Sequence, residues 1–343
     1  MDIVELLVAL PVILFGAELF TNGVEWVGEG FGLSEGAVGS VLAAIGTAMP
    51  ETILPLVAII AGSHGVGDEV GVGAILGSPL MLSTLAMCIL GITVLASRKR
   101  SAELRVTPGV IRQDLVTFLV LFALAVIAGV VHVRPFHWVL SVVVLVAYGF
   151  YVAKHFRTPD EKRLEEEAAT SVKPLYIRRF ARRVLRRHWG PPPPTWATIM
   201  QTLVGIAVIV GGARLFVIGV TELSERLHVS PLAFALLIAP VATELPETFN
   251  ASIIWARRGN KDTLALGNMT GAMVFGTAFP VSVGLLLTPW RLTGDSLAAA
   301  LVALVAASTL YVSLRVRGRF SGPFLLAQGV FYAGYVAYVV ARL

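Results

Sequence analysis

The sequence predicts an all-α membrane protein: ten transmembrane helices in two inverted five-helix repeats. Three observations carry this. The 343 residues are 56% hydrophobic and 14% charged, with mean hydropathy +0.79, whereas a soluble domain carries about 25% charged residues. Apolar stretches long enough to cross a bilayer, about 20 residues each, recur along nearly the whole chain. Residues 16–51 align without a gap to residues 212–247, an offset of 196, with 13 identities in 36 positions. The composition excludes a disordered, collagenous or ordinary soluble chain. A single cysteine, Cys88, excludes an intrachain disulfide framework and a thiolate cluster.

The expected spans cover roughly residues 2–27, 34–61, 70–96, 113–131, 136–153, 196–222, 230–256, 263–287, 296–314 and 322–341. The first is kept as a span because Asp2 and Glu5 replace the basic region of a signal peptide and no clear small-residue cleavage site follows. Spans 2 and 7 each hold a proline-glutamate motif, and spans 3 and 8 are rich in glycine. Four loops hold most of the lysine and arginine. Arg98, Lys99, Arg100, Arg105 and Arg112 lie between spans 3 and 4, and the largest cluster lies between spans 5 and 6. Arg257, Arg258 and Lys261 separate spans 7 and 8, and Arg315, Arg317 and Arg319 separate spans 9 and 10. Ten spans put all four loops on one side, which the positive-inside rule makes cytoplasmic, with both termini outside. The segment after span 2 has His64, Asp68 and Glu69 but no lysine or arginine, as an outside loop should.

The alignment divides the chain into a first five-helix repeat (1–156), a cytoplasmic loop (157–195) and a second repeat (196–343). Five spans per repeat is odd, so the second half enters the membrane inverted. Inverted repeats mark secondary transporters whose sites lie near the midplane at the repeat interface.

Both halves place Thr-x-x-Pro-Glu inside an apolar span: Thr47 to Glu51, with Pro50, and Thr243 to Glu247, with Pro246. Proline removes a helical hydrogen bond, which exposes the carbonyls of Gly46 and Ala242. Threonine and glutamate four residues apart share a helix face. Each half therefore offers a carboxylate, a hydroxyl and loosened carbonyls, hard oxygen ligands suited to Ca²⁺, Na⁺ or Mg²⁺. The competing reading is a pair of protonated acids in helix packing. Duplication at matched positions weighs against it, since a charged carboxylate at midspan costs roughly 2.5–3.5 kcal/mol on insertion scales.

Glu244, Glu247 and Asn250 extend this polar face along span 7, where the first half has Ala48 and Leu54 at the places of Glu244 and Asn250. Like charges one turn apart disfavour double ionisation, so one of Glu244 and Glu247 is expected to hold a proton when no cation is bound. Alternatively Glu244 is a solvated acid in a vestibule. Ser78 follows a run of glycines (Gly67, Gly71, Gly73, Gly77) and either reaches the site or packs only; Gly267, Gly271 and Gly276 recur in span 8. Glu18 and Arg214 occupy equivalent repeat positions and either pair across the repeat axis or snorkel. His132 and His137 read as interfacial residues at the outside edge.

The central loop holds an acidic run (Asp160, Glu161, Glu165, Glu166, Glu167) and then a basic one. Ile177, Phe180, Ala181, Val184 and Leu185 recur at helical spacing, opposite Arg178, Arg179, Arg182, Arg183, Arg186 and Arg187. This is the pattern of an amphipathic helix on an anionic lipid surface, or of a plain topology anchor. Pro191 to Pro194 end it. The arginines beside a membrane already have a sufficient explanation, so no nucleic-acid partner is expected.

The motifs GTAMPE (46–51), GAILGS (73–78), ATELPE (242–247) and GNMTGA (267–272) resemble the two α-repeats of the cation/Ca²⁺ antiporter superfamily, which includes the sodium/calcium exchangers. The resemblance spans both halves. It implies ten helices in two inverted sets of five, with helices two, three, seven and eight forming the ion site. It implies that Glu51 and Glu247 bind Ca²⁺, assisted by Thr47 and Thr243 chiefly through backbone carbonyls. The chain departs from the exchangers where they place serine after the threonine: it has Ala48 and Glu244. It has Leu82 and Gly276 where they place Asn or Asp, and Ala272 where the first half keeps Ser78. These departures bear on Na⁺ coupling more than on divalent binding.

The expected function is secondary exchange of Ca²⁺, or another divalent cation, for Na⁺ by alternating access. Proton coupling through Glu244 and Glu247 is the close alternative, and a passive cation channel a further one. Neither a phosphate-binding loop nor an HExxH or Ser/His pattern points to an ATPase or an enzyme. No cofactor is expected beyond the transported ions. The short loop suits a prokaryotic inner membrane.

Overall fold

The computed structural model describes residues 2–30, 43–63, 65–97, 103–155, 174–177, 193–249, 256 and 261–342. For residues 2, 43–47, 155, 242, 245–247 and 249 it describes the backbone alone. Ten long helices follow one another among the described residues. The first five are α1 (Asp2–Gly30), α2 (Ala43–Ala61), α3 (Val66–Ser97), α4 (Pro108–Val131) and α5 (Arg134–His155). The second five are α6 (Thr195–Leu227), α7 (Pro231–Phe249), α8 (Asp262–Leu287), α9 (Gly294–Arg317) and α10 (Gly322–Val340). Eight are long and apolar enough to cross a membrane; α2 and α7, which carry the Thr-x-x-Pro-Glu motifs, contribute the shorter apolar helices Ala48–Ala61 and Pro231–Val241.

Helix ends follow local chemistry. Pro108 opens α4 in a position where its missing N–H costs nothing. A capping box between Thr293 and Ser296 opens α9, Arg315 and Arg317 occupy its last turn, and Gly318 closes it at φ 65°. Within α3 the stretch Leu82–Ala86 is a π turn that follows Pro79, with the Ser83 hydroxyl donating to the Pro79 carbonyl at 2.7 Å. A π turn inside an α-helix absorbs one extra residue and recurs beside functional sites.

Three of the basic connections meet in the structure. Two short strands, β1 (Glu103–Leu104) before α4 and β2 (Phe320–Ser321) before α10, pair antiparallel, and Arg319 meets Glu103 at 2.8 Å. The Arg105 N–H donates to Asp262 at the start of α8 at 2.8 Å, and the Thr107 N–H to Thr263 at 2.9 Å. From the central loop, the N–H groups of Tyr176 and Ile177 donate to Asn22 of α1 and Gln201 of α6. Segments of three basic loops, around residues 103–107, 261–263 and 319–321, therefore meet.

The repeat is visible in the packing of α1 on α6. A Cβ on Gly16 would stand 2.8 Å from the Ile209 backbone nitrogen, and one on Gly212 would stand 2.8 Å from Ile13. Gly212 and Ile209 are the counterparts of Gly16 and Ile13 at the offset of 196, so the two contacts exchange under the repeat symmetry. The two backbones approach too closely there for any other residue. The principal core lies among α3, α4, α8 and α9, with Phe118, Phe122, Met273 and Trp290 fully buried. Outward positions are apolar too, including Leu7, Phe15, Phe150 and Val330, as hydrocarbon solvent allows.

Two sequence expectations are corrected or decided here. His137 is buried rather than interfacial: its Nε2 lies 2.8 Å from the Ala128 carbonyl near the end of α4, and His132 ends that helix in the left-handed conformation at φ 53°. A buried imidazole that satisfies a helix-end carbonyl serves packing. Glu18 accepts the Tyr176 hydroxyl at 2.5 Å, while Arg214 is exposed, which favours snorkelling for Arg214 over a pairing with Glu18. The six loop arginines Arg178, Arg179, Arg182, Arg183, Arg186 and Arg187 lie outside the described residues.

Candidate ion-binding site

The site is assembled from α2, α3, α7 and α8, and each carries proline near it: Pro50 and Pro55 on α2, Pro79 on α3, Pro240 and Pro246 on α7, Pro280 on α8. Proline cannot donate to the carbonyl four residues back. Pro55 therefore releases the Glu51 carbonyl, Pro79 that of Ile75 and Pro280 that of Gly276. Such groups are tolerated in a bilayer where protein or a polar cavity receives them.

Close packing of α3 on α7 brings the two repeats into register. A Cβ on Gly73 would come within 2.5 Å of the Leu232 carbonyl, and one on Gly77 would collide with the Leu236 carbonyl and Pro240. With glycine at both places, Ser78 reaches α7 and donates its hydroxyl hydrogen to Glu244 Oε1. The Glu51 carboxyl, from α2, is a neighbour of the Glu244 carboxyl. Glu51, Ser78 and Thr243 are about 5% exposed, and Glu244 is fully buried. The Thr243 hydroxyl turns toward the Ala239 carbonyl of its own helix at 3.4 Å. A cavity of about 10 Å³, room for one water-sized body, is lined by Glu51, Ser78 and Thr243 together with Pro55, Ile75 and Pro280.

Four of the expected residues, Glu51, Ser78, Thr243 and Glu244, are thus brought together. Glu244 is not a solvated vestibule acid. Thr47 and Glu247 lie on the backbones of α2 and α7, with side chains outside the described set, and Asn250 is outside the described residues. The departures from the exchanger motifs acquire a geometry. Leu82 is buried in the apolar core at the start of the π turn. Gly276 stands opposite Ser78: a Cβ there would lie 3.3 Å from the Ser78 hydroxyl oxygen. A side chain at 276 would therefore press against the serine that Glu244 engages.

Chemically, the site is a cluster of oxygen atoms held away from water. The neighbours of the Glu244 carboxyl are a hydroxyl and a second carboxyl. Facing carboxyls of this kind require a proton or a cation between them. A hard cation would be held by the two carboxylates, the hydroxyls and the freed carbonyls.

Sequence reasoning did not single out Asp114, which is buried on α4, or Tyr148 and Tyr151 of α5. Asp114 lies just inside the expected span 4, two residues from Arg112 of the basic loop. An ionisable residue within an apolar span is the signal that could have found it.

The model of the family described as Sodium/calcium exchanger protein matches residues 2–156 and 198–343. CaxA of Alkalimonas amylolytica is 27% identical over 338 residues, covering 95% of each chain. Among solved structures, the H⁺/Ca²⁺ exchanger CAX superposes with TM-score 0.65 at 14% identity, over 99% of this chain and 86% of its own. The sodium-calcium exchanger NCX_Mj superposes with TM-score 0.54 at 19% identity, over 98% of both chains. At these identities the two structures establish a shared fold.

Proposed function

The chain belongs to the sodium/calcium exchanger protein family, and from that premise we propose that it is a secondary antiporter exchanging Ca²⁺, or a similar divalent cation, for protons. The observation that carries proton coupling is the burial of two neighbouring carboxyls, Glu51 and Glu244, with the Ser78 hydroxyl donating to Glu244. When a divalent cation enters, both carboxylates ionise and bind it. When it leaves, a proton takes its place between them. Binding is thereby exclusive, which is the condition for antiport. Glu247 and Thr47 complete the ligand set from the two repeats, with Thr243 and Asn250 beside them. Alternating access arises between the halves 1–156 and 196–343, joined by the 157–195 loop.

Sodium coupling is the second reading, favoured by the hydroxyl of Thr243 and the carbonyls freed by Pro55, Pro79 and Pro280, which are neutral oxygen ligands of the kind Na⁺ takes. The solved structures that share the fold include one sodium-calcium and one H⁺/Ca²⁺ exchanger, so the fold favours neither. The meeting of three basic loops supports a cytoplasmic placement for that end, with both termini outside, in a prokaryotic inner membrane.

The deciding experiment is ⁴⁵Ca²⁺ uptake into proteoliposomes under an imposed pH gradient or an imposed Na⁺ gradient. Proton coupling predicts uptake driven by the pH gradient and abolished by Glu244→Gln. Uptake driven by Na⁺ alone would overturn it in favour of the second reading.

A further inference from the structure

Two threonine hydroxyls inside the bundle lack a partner, and they occupy matched positions. Thr52 follows Glu51 on α2 and Thr248 follows Glu247 on α7. The repeated motif is therefore Thr-x-x-Pro-Glu-Thr, and the offset of 196 holds through its last residue. Thr248 is 1% exposed, and the Oγ1 atoms of both threonines are buried without a hydrogen-bond partner. No other threonine hydroxyl among the described residues is in that state. A threonine in a helix ordinarily turns its hydroxyl back to the carbonyl four residues earlier. Thr84, Thr243, Thr277 and Thr288 do so here, and Thr270 reaches Asp114 instead. A buried hydroxyl left unpaired lowers stability, and valine would fill the same space without that cost. Its occurrence at both matched positions points to a partner that comes and goes with the transport cycle.

Helix geometry ties both residues to the ion site. Thr248 stands four residues after Glu244, one turn along the same face of α7. Glu244 Oε1 accepts the Ser78 hydroxyl, and Glu244 Oε2 is buried without a hydrogen-bond partner. That face of α7 therefore carries a carboxylate oxygen and a hydroxyl oxygen, one turn apart and both unengaged. On α2, Thr52 lies between Glu51 and Pro55, which both line the central cavity.

We propose that Thr52 and Thr248 are ligands of the transported divalent cation, one from each repeat, whose hydroxyl oxygens bind it beside the carboxylates of Glu51 and Glu244. The inference rests on the reading of the chain as a divalent-cation antiporter and holds for either coupling ion. A hard divalent cation such as Ca²⁺ takes about six to eight oxygen ligands. Carboxylates supply the charge, and hydroxyls extend the shell without adding more, which keeps the ion releasable. The hydroxyls of Ser78 and Thr243 are already engaged, by Glu244 and by the Ala239 carbonyl. Thr52 and Thr248 can bind the cation without first breaking a bond.

The test uses Thr52→Val and Thr248→Val, with Thr52→Ser and Thr248→Ser as the variants that keep the hydroxyl. In proteoliposomes, ⁴⁵Ca²⁺ uptake is measured against Ca²⁺ concentration under whichever gradient drives the unmodified protein. In detergent, Tm is measured without and with Ca²⁺. Each valine should raise the half-saturating Ca²⁺ concentration about tenfold or more, and each serine should restore it. The ion-free Tm should hold or rise with valine, which removes an unpaired hydroxyl, while the Tm gain from Ca²⁺ shrinks. An unchanged half-saturating concentration and an unchanged Ca²⁺-dependent Tm gain would overturn the proposal. So would an ion-free Tm lowered by valine, which would assign the hydroxyls a structural bond. An unmodified protein that neither takes up Ca²⁺ under any gradient nor gains Tm from it would instead overturn the antiport reading, and this inference with it.

Discussion

Ser78 on α3 donates its hydroxyl hydrogen to Glu244 on α7, a bond that joins the first repeat to the second across 166 residues of sequence. It forms where Gly73 and Gly77 let the two helices touch backbone to backbone. A buried hydrogen bond to an ionisable group contributes about 1.5–3 kcal/mol. Ser78→Ala should therefore lower the Tm of the ion-free protein. Added Ca²⁺ should widen the deficit, because the variant lacks one oxygen ligand and gains less stability from the cation. A deficit that is unchanged by Ca²⁺ would place the bond outside the ion site.

Glu51 and Glu247 occupy matched positions in the two motifs. Glu51→Gln and Glu247→Gln should each reduce ⁴⁵Ca²⁺ uptake to background while leaving the protein monodisperse in detergent. Amide for carboxylate keeps the shape but removes a charged ligand that a divalent ion needs. Near-normal uptake by both variants would refute the site.

The symmetric crossing of α1 and α6 gives a paired prediction. Gly16→Ala and Gly212→Ala each drive a methyl to 2.8 Å of a neighbouring atom, and overpacking of this kind costs about 1–3 kcal/mol. The two variants should lower Tm by similar amounts. Gly211→Ala, which points into open space, should leave Tm near that of the parent. Unequal losses at 16 and 212 would argue against a symmetric crossing.

The arginines of the central loop are proposed to hold anionic lipid. Replacing Arg178, Arg179, Arg182, Arg183, Arg186 and Arg187 by Gln should weaken the stabilisation of detergent-solubilised protein by phosphatidylglycerol, where each basic residue near an anionic surface contributes about 1 kcal/mol. Uptake in neutral-lipid vesicles should stay within about twofold of the parent, since the transport site lies elsewhere. Loss of uptake in neutral lipid would assign the loop a role in transport itself.

Much of the molecule was legible in one dimension. Ten apolar stretches mark ten helices because a bilayer demands about 20 apolar residues per crossing. The offset of 196 that relates Thr47-to-Glu51 to Thr243-to-Glu247 also relates the Gly16 and Gly212 contacts in space. Ser78 and Glu244 could be suspected because polar groups in apolar spans are rare. Asp114 lies at the start of the expected span 4, where a carboxylate is ordinary and its burial is invisible, and burial of His137 at a helix end leaves no mark on local composition.

By itself the sequence determined the membrane environment, the two inverted halves and the residue types able to hold a hard cation, since these depend on composition, period and repeat. Tertiary structure alone decided which of those residues meet. That Glu244 takes the Ser78 hydroxyl and faces Glu51, that Gly276 leaves room for the serine, and that Asp114 ties α4 and α5 to α8 all depend on contacts between helices far apart in the chain. Such contacts are set by how closely two backbones approach, and a glycine in a sequence does not say which helix it will touch.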